Sequence, residues 1–73
     1  MAKKHPKFGK WNSTTQFPGI CTIKVFDGGV VVKKQKEEPI EYPCENLKEA
    51  KETADNFRAR VFSEGKDVKF FAL

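Results

Sequence analysis

Four lysines and three aromatic rings share the first nineteen residues, MAKKHPKFGKWNSTTQFPG. Lysines interleaved with rings suit single-stranded or flexible nucleic acid: ammonium groups neutralise phosphates and rings stack on bases. Lys3, Lys4, Lys7 and Lys10 are the candidate phosphate contacts, and Trp11 the candidate platform. The competing reading is a solubilising tail whose rings Phe8, Trp11 and Phe17 patch the edge of a small core. The charge balance sharpens the question. The chain has fourteen Lys and Arg against ten Asp and Glu, a net +4. The four leading lysines account for all of that excess, so the expected object is a basic arm on a neutral body.

Catalytic chemistry finds little to work with. His5 is the only histidine and falls in the expected tail, so no His–Cys or His–carboxylate pair is available. Two cysteines and one histidine cannot build a standard zinc site. Gly28-Gly29 is turn chemistry rather than a phosphate cradle. Glu37 and Glu38 are adjacent in a turn, which is not an acid–base geometry. Cys44 stands just ahead of a helix start, where the dipole could activate its thiol, but it has no partner in sequence reach. The expectation is no enzyme, no metal and no cofactor. Cys21 and Cys44 read as reduced thiols packed as small hydrophobes in a cytoplasmic protein, with a disulfide between them the alternative. No apolar run approaches the length of a membrane span, and no apolar stretch follows the leading lysines as a secretory signal requires.

The elements that must position these residues follow from periodicity. Leu47, Ala50, Ala54, Phe57 and Val61 form one stripe of a 3.6-residue helix. Asn46 is a good N-cap with Glu49 three residues on, and Gly65 can supply the left-handed residue that ends the helix. Residues 20–35 read as a hairpin, ICTIKVF and VVVKKQ around Asp27-Gly28-Gly29. With Asp27-Gly28 as the turn, Val25 faces Val30, Ile23 faces Val32 and Cys21 faces Lys34. The register one step on sets Lys24 against Lys33, a costly like-charge pair, so the first is expected. Cys21, Ile23, Val25, Val30 and Val32 then make a floor for the helix. Residues 40–42 read as a short edge strand between Pro39 and Pro43, since proline cannot donate to a central ladder. Residues 67–73, DVKFFAL, read as a last strand beside the hairpin, with Phe70 packed under Phe57.

The far face of the hairpin carries Thr22, Lys24, Phe26, Val31 and Lys33, half apolar and half basic. It could meet a nucleic acid or a protein partner, unless the segment from Phe8 to Phe17 folds across it. Along the helix the acids come first and the bases last, which complements the dipole. Lys48–Glu52 and Lys51–Asp55 are expected as exposed i,i+4 pairs. Arg58, Arg60 and Lys66 leave a small basic end.

Taken together, the expected fold is α+β of order β-β-(β)-α-β: a small antiparallel sheet on one helix, as a single domain over residues 8–73 behind a flexible tail of residues 1–7. Such a domain buries only ~60–65% of its unfolded surface, so its stability is modest. Hairpin, short strand, then N-LKEA-KETAD-NF-RAR and a closing G-x-x-V-x-F resembles the plan of three-strand-plus-helix DNA-binding modules, such as plant AP2-type and integrase arm-binding domains. It is also similar in plan to small bacteriophage proteins that inhibit host RNA polymerase. The resemblance covers residues 40–71, lacks the Arg/Trp-rich reading strands of AP2-type domains, and transfers no functional residue. It implies a small binding protein. The leading expectation is a nucleic-acid-binding protein contacting its partner through Lys3, Lys4, Lys7, Lys10, Trp11, Lys24, Phe26, Lys33, Arg58 and Arg60. The alternative is a protein-interaction module, an inhibitor or adaptor of a larger enzyme such as RNA polymerase. It is expected as a monomer or weak homodimer, with self-association through the edge at residues 40–42 a further alternative.

Overall fold

In a computed structural model, which describes residues 4–70, the chain forms an antiparallel meander followed by one helix. The strands are β1 (Lys4–His5), β2 (Gly9–Phe17), β3 (Cys21–Phe26), β4 (Gly29–Lys34) and β5 (Ile40–Pro43). They neighbour one another in chain order, so β2 to β5 make a four-stranded sheet that the two-residue β1 extends at the β2 edge. Helix α1 (Leu47–Glu64) lies across one face, and a 3-10 turn (Gly65–Asp67) leads the chain back.

The hairpin has the register expected from charge: Val25 pairs with Val30, Ile23 with Val32 and Cys21 with Lys34. Ala50, Ala54, Phe57 and Val61 are the buried side of α1 and sit on Cys21, Ile23, Val25, Val30 and Val32. Two alanines in the first turns let the helix approach the β-branched floor closely, and Phe57 then fills the wider gap beyond. Its ring lies 4.7 Å from Tyr42 and 5.3 Å, edge-on, from Phe70. Asn46 caps the helix by accepting the Glu49 N–H at 2.9 Å, and Gly65, at φ 62°, ends it. β5 takes the outer edge beside β4, with Pro39 and Pro43 at its ends.

Three expectations change. Residues 9–17, read from sequence as irregular, form the longest strand. Its residues alternate half-buried and exposed, but serine and threonine stand at inward positions where a sequence pattern looks for large apolar groups. β2 pairs along β3 from Phe17↔Cys21 to Trp11↔Phe26, with an irregularity between Trp11 and Ser13. It therefore fills the place beside the hairpin where a last strand was expected. β3 is flanked by β2 and β4, and β4 by β3 and β5, so residues 68–70 find both sides of the hairpin taken and run as coil. Residues 71–73 lie outside the described residues. The coil still serves the core. Val68 is fully buried, Phe70 packs on Phe57 as expected, and the Lys34 ammonium donates to the Val68 carbonyl at 2.8 Å. Likewise residues 4–7, read as part of the flexible tail, form β1 and a turn, with Lys4 opposite Lys10 and His5 opposite Gly9.

Phe57 and Phe62 give a test of this arrangement. Phe57 is buried whereas Phe62 is 80% exposed. Phe57→Ala should cost about 3–5 kcal/mol and Phe62→Ala under about 1 kcal/mol, read from urea midpoints at constant slope. Equal losses would mean that the helix is turned the wrong way.

Candidate nucleic-acid interface

The helix covers one side of the sheet, and the other side is hollow. Cross-strand partners share a face, so Thr22, Lys24 and Phe26 of β3 line up with Val31 and Lys33 of β4 and Glu41 of β5 on this outer side. The irregularity at Asn12 bends the start of β2, as an extra residue in a ladder does. That bend carries β1 over the outer face, and His5 reaches Glu41 on the opposite edge strand. The result is a depression of about 400 Å³, lined by Gln16, Thr22 and Lys24 on the β2–β3 side, Val31 and Lys33 in the middle, and Pro39 and Glu41 on the β5 side, with His5 and Phe26 also in its lining.

His5 is the pivot of this curl. Its Nδ1 accepts the backbone N–H groups of Lys7 and Phe8 at 3.0 and 3.2 Å. That nitrogen therefore carries no proton, and Nε2–H donates to a Glu41 carboxylate oxygen at 3.1 Å. The ring stacks on Phe8 at 4.5 Å and leans on Phe26 at 5.3 Å. Phe8 in turn lies on Gly29, where any β-carbon would fall 2.7 Å from the ring, and its carbonyl accepts the Gly28 N–H at 2.8 Å. Lys7 donates to the second Glu41 oxygen at 3.2 Å. That hydrogen bond is the main reason the Glu41 carboxyl is held below its ordinary range; partial desolvation opposes it, and the Lys7 charge and His5 assist.

The ten expected contact residues divide among several places. Lys24 and Lys33 are exposed on the outer face, and neither has an ion-pair partner among the described residues. Phe26 points to the same face but is only 6% exposed, with the His5 ring leaning on it, so its ring is closed to stacking from outside. Trp11, paired with Phe26, stands at the β2 edge, where its Nε1–H donates to Thr14 at 2.7 Å. Lys10 is exposed beside it, Lys7 is engaged with Glu41, Lys4 contributes backbone pairing in β1, and Lys3 lies outside the described residues. Arg58 and Arg60 are on the helix side, with the sheet between them and Lys24. Arg58 binds Asp55 and, at 3.2 Å, Thr15. Arg60 reaches Glu64 and the Lys69 carbonyl and lies over the Phe70 ring. The basic helix end is thus occupied in holding the chain's own strand and coil. Asp55 pairs with Arg58 rather than with Lys51.

His5, Glu41 and Gln16 were not among the expected site residues. Glu41 had a legible signal, since it alternates with Ile40 and Tyr42 and so must face away from the helix. His5 had none, because its place depends on the bend in β2.

The thiols offer no reactive centre. Burial pushes Cys21 up, with Lys34 opposing. Burial also pushes Cys44 up, opposed by its hydrogen bond with Thr53 and reinforced by Glu49, the reverse of activation by the helix dipole. Both are free. Cys21 begins β3, and the Cys44 N–H binds Gly28 beyond the far end of that strand. The length of β3, roughly 17 Å, separates them, against a limit of about 7 Å for a disulfide. Among the described residues no cluster of His, Cys, Asp and Glu suits a metal ion, and no helix is long and apolar enough to cross a membrane.

No family model, curated protein or solved structure matches this chain.

The Glu41 contacts carry a pH consequence. A carboxyl held low in the fold contributes stability above its ordinary range and loses it as pH falls through the lowered value. The attachment of residues 5–8 to the sheet should therefore loosen in acid. Lys7→Met should raise the Glu41 titration midpoint toward the ordinary carboxylate value, followed by its carboxyl carbon shift; an unchanged midpoint would remove Lys7 as the cause.

Proposed function

We propose that this chain is a small, non-enzymatic nucleic-acid-binding protein of the cytoplasm that meets its partner's phosphates with the open face of the sheet. One observation carries this reading. On the side the helix leaves bare, two exposed lysines without ion-pair partners among the described residues, Lys24 and Lys33, line a depression together with the polar side chains of Thr22, Gln16, His5 and Glu41. Glu41, the acid of this face, is already neutralised by Lys7, so the field over the depression is positive. The apolar alternative for the same surface is weakened by the covering of Phe26, because no bare Phe26–Val31 patch is left for a protein partner.

A second reading uses the opposite side. Phe62 is 80% exposed and meets Phe17 edge-on at 5.6 Å, an apolar pair beside Arg58. Exposed aromatic pairs suit protein contacts, and this one supports the inhibitor or adaptor reading, with a larger enzyme such as RNA polymerase as the kind of partner.

Anisotropy titrations with labelled DNA and RNA oligonucleotides separate the two. Affinity should fall with salt at a logarithmic slope of roughly −2 to −3, and Lys24→Gln with Lys33→Gln together should reduce that slope by roughly 1.5. Absence of binding at low salt would remove the proposal. Phe62→Ser should leave nucleic-acid affinity within about twofold; a large loss would move the contact to the helix side.

A further inference from the structure

The outer face is more specific than a basic surface needs to be. Lys24 pairs with Val31, and Val31 pairs with Glu41, so a cation, an apolar side chain and a carboxylate lie in one row across β3, β4 and β5. Neighbouring strands are about 4.8 Å apart, which sets the two charged ends of the row roughly 10 Å apart at the backbone. Lys33, on the middle strand β4, is diagonal to both Lys24 and Glu41, about 7–8 Å from each, and adds a second cation. Phe26, Val31 and Pro39 supply the apolar lining between.

We infer, resting on the nucleic-acid reading above, that this face takes a single-stranded segment: phosphates at Lys24 and Lys33, one base in the depression, and the base's exocyclic amine on the Glu41 carboxylate.

Shape favours a single strand. A duplex groove receives a protruding helix or β-ribbon, whereas this face is hollow and walled by His5 and Pro39. A hollow receives a base that has left its stack. Its volume of about 400 Å³ is also that of a small-ligand site.

Charge sets the direction. Glu41 uses one lone pair of each oxygen, for His5 and Lys7, and has others left. An ionised carboxylate only accepts, so it selects a hydrogen-bond donor. Cytosine offers an amine there. Thymine offers an N–H flanked by two carbonyl oxygens, which the carboxylate repels.

The test compares oligodeoxycytidylate, oligothymidylate and a mixed-sequence duplex of matched length, titrated against the whole chain at low salt near neutral pH. Oligodeoxycytidylate should bind about tenfold tighter than oligothymidylate, the worth of one charge-assisted hydrogen bond, and the duplex more weakly than either. Glu41→Gln, whose amide can turn either edge to the base, should bring the ratio to about twofold or less. Lys7→Met, which frees the carboxylate without removing it, should keep the preference. Lys24→Gln should weaken both oligonucleotides alike. Circular dichroism of each variant separates loss of fold from loss of contact. Duplex binding as tight as single-strand binding, or a ratio that survives Glu41→Gln, would overturn the inference and leave the nucleic-acid reading standing. No binding of any of the three would remove both.

Discussion

Everything in this small domain hangs on one contact, the uncharged stripe of α1 against the β-branched floor of the hairpin. Ala50 and Ala54 bring the helix axis down onto Ile23, Val25, Val30 and Val32, all of which are almost fully buried. A chain of this size has no second core to fall back on. The stripe therefore decides three things together: which face of the sheet is closed, which face is open, and where Phe57 stands to receive Tyr42 and Phe70. The lysines of the outer face are on that face because Ile23 and Val32 are not.

The edges of the sheet are finished by small, separate devices. Pro39 and Pro43 bracket β5 and limit its capacity to pair with another chain. Lys34, at the inward end of β4, spends its ammonium on the Val68 carbonyl and on Glu37, which holds the returning coil under the helix. Arg60 fastens the same coil from the other side through the Lys69 carbonyl and the Phe70 ring. Basic residues that look available in sequence are in this way taken up by backbone carbonyls. This takes Lys34, Arg58 and Arg60 out of the free positive charge, whereas Lys24 and Lys33 on the outer face, like Lys48 and Lys51 on the helix, have no ion-pair partner among the described residues.

The curl of the sheet converts a flat basic surface into a shaped one. A bend near Asn12 lets His5 cross to Glu41, and the two backbone N–H bonds to its Nδ1 fix the ring over Phe26. The apolar residue most exposed to attack on that face is covered by the chain's own beginning. What stays open is a hollow with Lys24 on β3, Lys33 on the middle strand and the Glu41 carboxylate on β5.

Much of this was legible in the residues alone. The helix and its caps, the hairpin with its register, the edge strand between prolines and the division of the hairpin into a floor and a basic face all follow from local rules: periodicity, turn chemistry, like-charge repulsion and the missing proline N–H. Each of these acts within a few residues or across one turn. The tertiary structure alone decided the rest. β2 is a strand because β3 had an open side, not because GKWNSTTQF carries large apolar groups at inward positions. Residues 68–70 are coil because β2 had already filled that side. The depression exists because His5 and Glu41, thirty-six residues apart, meet across the bent face. Pairing partners and long-range side-chain contacts leave no mark in the spacing of a segment, so only the folded chain could place them.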